Sequence, residues 1–518
     1  MSLSAFGPGS GPAVTRLFQR LLALVFVVAW LSLGVQIEVL VGSRGLLPAS
    51  DLVRAVAERP DVSFLRFPTL FRHDASDAAL LGGIAVGVVL ALVALGRVAP
   101  RLAFAASTVL YLSYAVICRD FLAFQWDNLL IECGALATLL SSRRHRLAHF
   151  LFRVLLFKLY FESGLAKYQS YLGDWKDGSA MSFYYETAPL PTALAWYAHQ
   201  LPAAWHAIES RGALVLELVI PVFIFLPRPF RLTACALLTG FQVMNIATAN
   251  YGFFSYLAVA LHVFLLDDRD VEWLGRPLVA LRRAFRARLA DAARAIRVAR
   301  VNVIVAERRT RRLLRRPFDF LRSADTVALM SLARLTVGAL LTLAYIAVSF
   351  EDALGAFTSA EPTSSGLQTL SETVAPLRIV NVYHLFGHIT RERVEPTFAT
   401  SNGDDFTEHD LRYKPGDPRR APPFVAPHQP RVDFLLWFYG LSYERGVPLY
   451  VRNLLVRMCD DPEAVQFLFA TPLPRRPKAT QVRFYRYHFT TPHERGESGA
   501  VWTRTLLGEP RTLSCIAE

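Results

Sequence analysis

Charge is scarce in this chain, and catalytic signatures are scarcer. Only 19% of its 518 residues are Asp, Glu, Lys or Arg, 53% are hydrophobic, and mean hydropathy is +0.30. An ordinary soluble domain carries about 25% charged residues, so a wholly soluble globule is excluded. No GxSxG elbow, P-loop, HExxH motif or dinucleotide-binding glycine fingerprint occurs, which argues against a soluble-type hydrolase or kinase. The five cysteines form no CxxC or zinc pattern. Cys118, Cys133 and Cys235 lie in apolar runs and are expected in the core. Cys459 and Cys515 are able to pair only if their part of the chain meets an oxidising compartment. His384 and His388 stand four apart in an expected strand without forming a metal motif. No metal and no cofactor is expected.

Long apolar runs are what the chain does have. Residues 21–37, 78–96 and 102–118 carry no charge, and each approaches the ~17–25 residues a helix needs to cross hydrocarbon. The reading is an α-helical polytopic membrane bundle over 1–350, with about nine transmembrane helices near 17–38, 79–97, 101–118, 121–140, 147–168, 211–227, 230–249, 252–267 and 326–349. The apolar stretch 232–266 is too long for one helix and is divided at a turn around Asn250 and Gly252.

The net charge of +13 is concentrated, with sixteen arginines between Arg269 and Arg322. Directly after a span, such a block marks the cytoplasmic face rather than a nucleic-acid partner. With a cytoplasmic N-terminus, Arg16/Arg20, Arg97/Arg101, Arg143/Arg144/Arg146 and Arg228/Arg231 all fall on the same side as that block. Nine crossings then place the C-terminal region outside. The basic loop 268–325 reads as one or two amphipathic helices with Val279, Leu281, Phe285, Leu289 and Ile296 as apolar points, serving chiefly as an orientation signal.

From about 376 the pattern changes. Alternating or β-branched runs at 377–389, 394–400, 481–490 and 501–507 predict strands, and 431–443 and 447–459 predict helices. A β-rich α+β extramembrane domain is expected over 376–518.

Ionisable residues inside spans are the first places to look for chemistry, because each costs a few kcal/mol unless paired or hydrated. Asp127, Glu132, Glu162 and Glu217 stand against Lys158, Lys167 and Arg334. One reading is a neutralising network that fixes helix packing. The sharper one is a polar cavity, with Glu132, Lys158 and Glu162 as candidate catalytic residues and Lys158 or Glu132 as general base. The outer segment 168–209 is dense in aromatic rings, among them Trp175, Tyr184, Tyr185 and Trp196. Such rings form interfacial belts, but the length of the segment also predicts a client-binding or lid role.

Several segments together resemble the lipase maturation factor family. They are 125–140 (QWDNLLIECGALATLL), 157–167 (FKLYFESGLAK), 184–191 (YYETAPLP), 381–393 (NVYHLFGHITRER), 411–436 (LRYKPGDPRRAPPFVAPHQPRVDFLL) and 482–490 (VRFYRYHFT), in that order. The run 412–431 is the most specific. The resemblance implies a membrane protein of the endoplasmic reticulum that helps secreted lipases fold, with the C-terminal region engaging the client. In a bacterial chain the equivalent membrane is the inner one. Arg412, Tyr413, Arg419 and Arg420 thereby join the client-binding candidates. The membrane part is also similar to the multi-helix domain shared with vitamin K-dependent γ-carboxylases, which implies the alternative of a membrane enzyme acting on a lipid or quinone-like substrate. The partners expected are the lipid bilayer and a secreted or exported client protein.

Overall fold

The computed structural model describes residues 11–59, 61–140, 145–276, 324–358, 363–403 and 405–515, with residue 145 and residues 324–335 traced through the backbone alone. The chain folds into a helical bundle followed by a small antiparallel sheet with helices. Five helices among the described residues are long and apolar enough to cross a membrane. They are α1 (Pro12–Gly34), α2 (Asp77–Leu95), α3 (Pro100–Ile117), α8 (Arg228–Thr248) and the Thr336–Phe357 part of α10 (Ala324–Phe357).

The other four expected spans are helical but shorter or more polar. α4 (Gln125–Ala137) has 13 residues, about 20 Å of helix against a hydrocarbon core of about 30 Å. It is buried nearly all round, as an interior strut would be. α5 (His145–Tyr168) is long enough, at 24 residues, but mixes charge into its apolar pattern. α7 (Ala203–Leu218) runs into a 3-10 turn over Ile220–Phe225, and α9 (Phe254–Leu261) continues into a 3-10 turn over His262–Leu265. The helix pattern of the basic loop falls almost wholly outside the described residues, as does the side chain of Arg334.

α1 and α3 are the central helices: 56% and 61% of their apolar windows are buried, against 22–28% for α2, α8 and α10. The outer three keep apolar side chains exposed, as lipid-facing helices must. Trp30 of α1 lies against Gly87 of α2, where a Cβ would stand 2.4 Å from the indole. Its Nε1 donates to Ser107 Oγ of α3 at 3.1 Å. Ring and hydrogen bond together fix three helices at one point.

In the C-terminal part, β1 (Arg393–Ser401), β2 (Phe406–His409), β3 (Ala479–Phe489) and β4 (Trp502–Ser514) form an antiparallel sheet in the order β2-β1-β3-β4. Three of these strands follow the predicted runs. α12 (Arg431–Leu441) packs on β1 so closely that a Cβ at Gly440 would meet the Val394 carbonyl oxygen. α13 (Leu449–Asp460) backs β3, and Cys459 at its end is bonded to Cys515 after β4.

The strand predicted over 377–389 is absent. Leu377 closes a 3-10 turn over Ala375–Leu377, residues 378–389 form no helix or strand, and the amides of Tyr383, His384 and Ile389 are held by side chains of the bundle instead. His384 and His388 therefore share no strand face.

Candidate functional site

Two buried acids of α4 organise the junction between the two parts. Asp127 lies in the first turn of α4, where the helix dipole favours an anion. It is fully buried and meets Arg431, the first residue of α12, in a bidentate pair with Nη1–Oδ2 2.6 Å and Nη2–Oδ1 2.8 Å. The Tyr111 hydroxyl donates to Oδ1 at 2.7 Å, and Arg431 Nη1 also donates to the Phe121 carbonyl. Around this pair, the Arg431 amide donates to Gln36 Oε1 of the helix Ile37–Val41 entry, and the Gln429 amide to Ser32 Oγ of α1.

Glu132, one and a half turns further along α4, is equally enclosed. Oε1 accepts from the Tyr345 hydroxyl at 2.6 Å and faces Lys158 Nζ at 3.4 Å, while Oε2 accepts from Asn381 Nδ2 and the Tyr383 hydroxyl, both at 2.7 Å. Lys158 Nζ also donates to Ser349 Oγ at 2.9 Å. Glu162 Oε2 accepts the Tyr383 amide at 2.8 Å. Glu132, Lys158 and Glu162 thus lie close together in a filled hydrogen-bond network. Glu132 has four donors on its two oxygens and is fully buried. Lys167 and Glu217 form a separate pair at 2.7 Å. Of the four acids read from the sequence, Asp127 takes its cation from the C-terminal part rather than from the membrane bases.

The connection 378–390 is threaded against the bundle by these contacts. Arg378 donates to the Leu122 carbonyl, the His384 amide to Gln125 Oε1 and the Ile389 amide to Asp174 Oδ2. Trp175 Nε1 donates to the Gly387 carbonyl at 3.1 Å. Trp196 Nε1 reaches the Thr490 carbonyl at 2.9 Å, and Glu186 accepts the Phe489 amide. Tyr185 donates to Glu209, and Tyr184 shares a hydrogen bond with Tyr251. All four of the predicted client-facing rings, Trp175, Tyr184, Tyr185 and Trp196, are buried. The rings on the surface in this segment are Tyr168, Tyr171, Tyr197 and Trp205.

The arginine-rich run divides by position. Arg412 and Arg419 are exposed, Arg412 over the Phe467 ring, whereas Tyr413 is half-buried and Arg420 turns back to its own loop carbonyls. Between them Lys414 is buried, 2.8 Å from Glu395, which also pairs with Arg393 at 2.5 Å. Burial pulls the Lys414 ammonium down to about 8 even with Glu395 beside it. Burial likewise pushes Asp433 up to about 6, opposed by Lys414 and the Tyr413 amide. Residues Arg393, Glu395 and Lys414 hold β1 to the loop 186–189, because Arg393 donates to the carbonyls of Glu186, Ala188 and Pro189. Neither the Arg431–Asp127 pair nor the seat of Arg393 is readable in one sequence, since Asp127 stands 304 residues from Arg431 and Arg393 stands 204 to 207 residues from the carbonyls it holds.

A cavity of about 360 Å³ lies beside the polar network, between α5, α7, α8 and α6 (Ala180–Thr187). Its walls are mainly apolar, with Gln242, Tyr184, Asn245, Glu209 and the Lys167–Glu217 pair among the polar points. Leu385 and Phe386 of the connection also line it; Lys167 Nζ holds the Leu385 carbonyl at 2.9 Å, and Phe386 has the left-handed backbone φ of 53°. Such a conformation in a bulky residue persists only where its surroundings impose it. Glu132, Lys158 and Glu162 do not line this cavity. No group of three His, Cys, Asp or Glu side chains able to hold a metal ion is found among the described residues.

A family model described as the lipase maturation factor transmembrane domain matches residues 13–273, and one described as the lipase maturation factor C-terminal domain matches residues 379–511. The chain is 30% identical to lipase maturation factor 1 of Bos taurus over 94% of its own length and 86% of that protein. It is 29% identical to lipase maturation factor 2 of Gallus gallus, over 94% of this chain and 79% of the other. With lipase maturation factor 1 of Homo sapiens it shares 29% identity over 97% and 90%. No solved structure matches.

Proposed function

The chain belongs to the lipase maturation factor family and is an integral membrane protein; from that premise we propose that it assists the folding or assembly of secreted lipases or other exported proteins, in a chaperone-like manner. We place it with nine crossings, an N-terminus on the arginine-rich side and the 376–518 domain on the opposite, outer side. In a cell with an endoplasmic reticulum that side is the lumen, and in a bacterium the periplasm.

The observation that carries this reading is the union of the two parts. The C-terminal part is bound to the bundle through Arg431–Asp127 and through Asn381 and Tyr383 on Glu132. Such a junction supports a continuous client-facing surface better than an open reaction chamber. The Cys459–Cys515 bond fits an oxidising compartment on that side. The client surface we assign is the exposed part of the 412–420 loop, with Arg412 and Arg419 as its charged points. The alternative, a bundle enzyme using Glu132, Lys158 and Glu162, draws little support from a carboxylate whose oxygens are already filled.

The test is co-purification of the full chain with a co-expressed secreted lipase, comparing wild type with Arg412→Glu/Arg419→Glu. Lipase capture and secreted lipase activity should drop several-fold while the yield of folded membrane protein is unchanged. Equal capture by both forms would remove the loop from the client surface, and no capture by either would remove the lipase.

A further inference from the structure

The cavity between α5, α6, α7 and α8 remains unused by the client-binding reading, and its chemistry is specific. Compact interiors have few voids larger than a single water, whereas 360 Å³ falls within the range of small-molecule pockets. The lining is predominantly apolar, so water is a poor occupant.

Two features make the space a property of the sequence. Gly212 lines the cavity, and a Cβ there would meet nothing within 4 Å. Gln242 lines it too and is 2% exposed; its Nε2 donates to the Tyr160 hydroxyl at 3.0 Å, but its Oε1 has no partner. A buried amide oxygen without a donor is costly, so a ligand at this place would supply a hydroxyl or amide N–H. The ionic groups on the wall are Lys167 and Glu217, which neutralise each other at 2.7 Å, and Glu209, which accepts from Tyr185 and faces His206, so no unpartnered cation is left to hold an anionic head. Access is from the bilayer side. Ile208 of α7 and Met244 of α8 line the cavity and are 65% and 53% exposed, on helices whose outer faces are apolar.

We propose that this cavity is a binding site for a neutral single-chain amphiphile, whose aliphatic chain fills the space beside Gly212 and whose hydroxyl or amide head donates to Gln242 Oε1. The site stands whether or not the protein binds a lipase. Its roof is Leu385–Phe386, with the Phe386 ring 4.9 Å from Tyr251 and 6.3 Å from Tyr184. Occupancy and the seating of the C-terminal connection are therefore coupled.

The experiment uses the purified full chain in detergent and a monoacylglycerol carrying a photoreactive diazirine in its chain. Labelled peptides are mapped, with unlabelled monoolein or oleate as competitors. Labelling should concentrate on 181–185, 208–217 and 241–248 and be competed by monoolein well before oleate. Gly212→Leu, which fills the space, should cut labelling at least tenfold. Gly240→Leu on the exposed side of α8, where a Cβ also meets nothing, should leave it unchanged. Gln242→Leu should weaken monoolein competition about tenfold, the effect of one lost hydrogen bond. Thermal unfolding of each variant confirms folding, and Gln242→Leu decides the matter if Gly212→Leu does not fold. Label spread evenly over the lipid-facing helices and indifferent to both variants would overturn the site. Competition by oleate equal to that by monoolein would overturn the neutral head.

Discussion

A guanidinium on a carboxylate, both withdrawn from water, is an expensive arrangement unless every lone pair and donor is used. At Arg431 and Asp127 nearly all are, through the bidentate pair, Tyr111 and the Phe121 carbonyl. Removing one partner leaves an uncompensated buried charge, and Arg431→Met should cost roughly 3–5 kcal/mol. Arg431→Lys should rescue little of it, since an ammonium cannot span both oxygens. The double variant Asp127→Asn/Arg431→Met should recover most of the loss. Thermal unfolding in detergent of wild type, Asp127→Asn, Arg431→Met and the double variant measures the cycle; equal Tm for Arg431→Met and wild type would contradict it.

Asp433 gives a pH test. Its folded value, about 6, stands above the ordinary 3.8, so the protein binds a proton there that the unfolded chain releases. The stabilisation is complete below about 3.9 and is lost as pH rises through 6, amounting to at most about 3 kcal/mol. Asp433→Asn has no such titration. The Tm of the variant minus that of wild type should therefore grow from pH 4 to pH 6 and level off above. A flat difference would mean Asp433 is not buried as described.

At the scale of the element, the connection 378–390 is the unusual piece. It has no helix or strand, yet the amides of Tyr383 and Ile389 are held by Glu162 and Asp174. Hydrogen exchange should find these amides protected like those of a core helix, and Glu162→Ala should release the Tyr383 amide selectively. Exchange as fast as in an exposed loop would refute the threading. The sequence predicted a strand here because β-branched and aromatic residues predominate, but it could not reveal that carboxylates more than two hundred positions earlier would replace a strand's partners. Local pattern sufficed where local pattern decides. The long apolar helices, α12, α13 and three of the four strands lie close to where alternation and periodicity put them. β2, only four residues long, carried too little pattern to detect. That Glu132 and Lys158 sit among apolar residues was legible from the runs that hold them, but that they face each other was not, because their contact lies between two helices. The burial of Trp175, Tyr184, Tyr185 and Trp196 did not, because an aromatic ring at an interface and one under a docked domain look alike in sequence.

Across the whole molecule, the two parts do not separate cleanly. A chain ending after Phe357 keeps all five long spans but loses Arg431 from Asp127, and Asn381 and Tyr383 from Glu132. We expect such a truncation to insert and then fail to fold, seen as aggregation on size-exclusion chromatography in a detergent that keeps the full chain monodisperse. Co-expressing 376–518 as a second chain should partly restore it. A monodisperse truncated bundle with a sharp unfolding transition would show that the junction is dispensable.

The distance along the chain between Asp127 and Arg431, 304 residues, also sets a clock. Synthesis at about 5–20 residues per second takes roughly 15–60 s to cover that interval. Throughout it, the acid resides in a newly inserted helix without its cation. A nascent chain of this protein therefore carries its own timer: its membrane half is held unfinished until its outer half has been made, and any arrest between the two leaves an unmatched charge on α4.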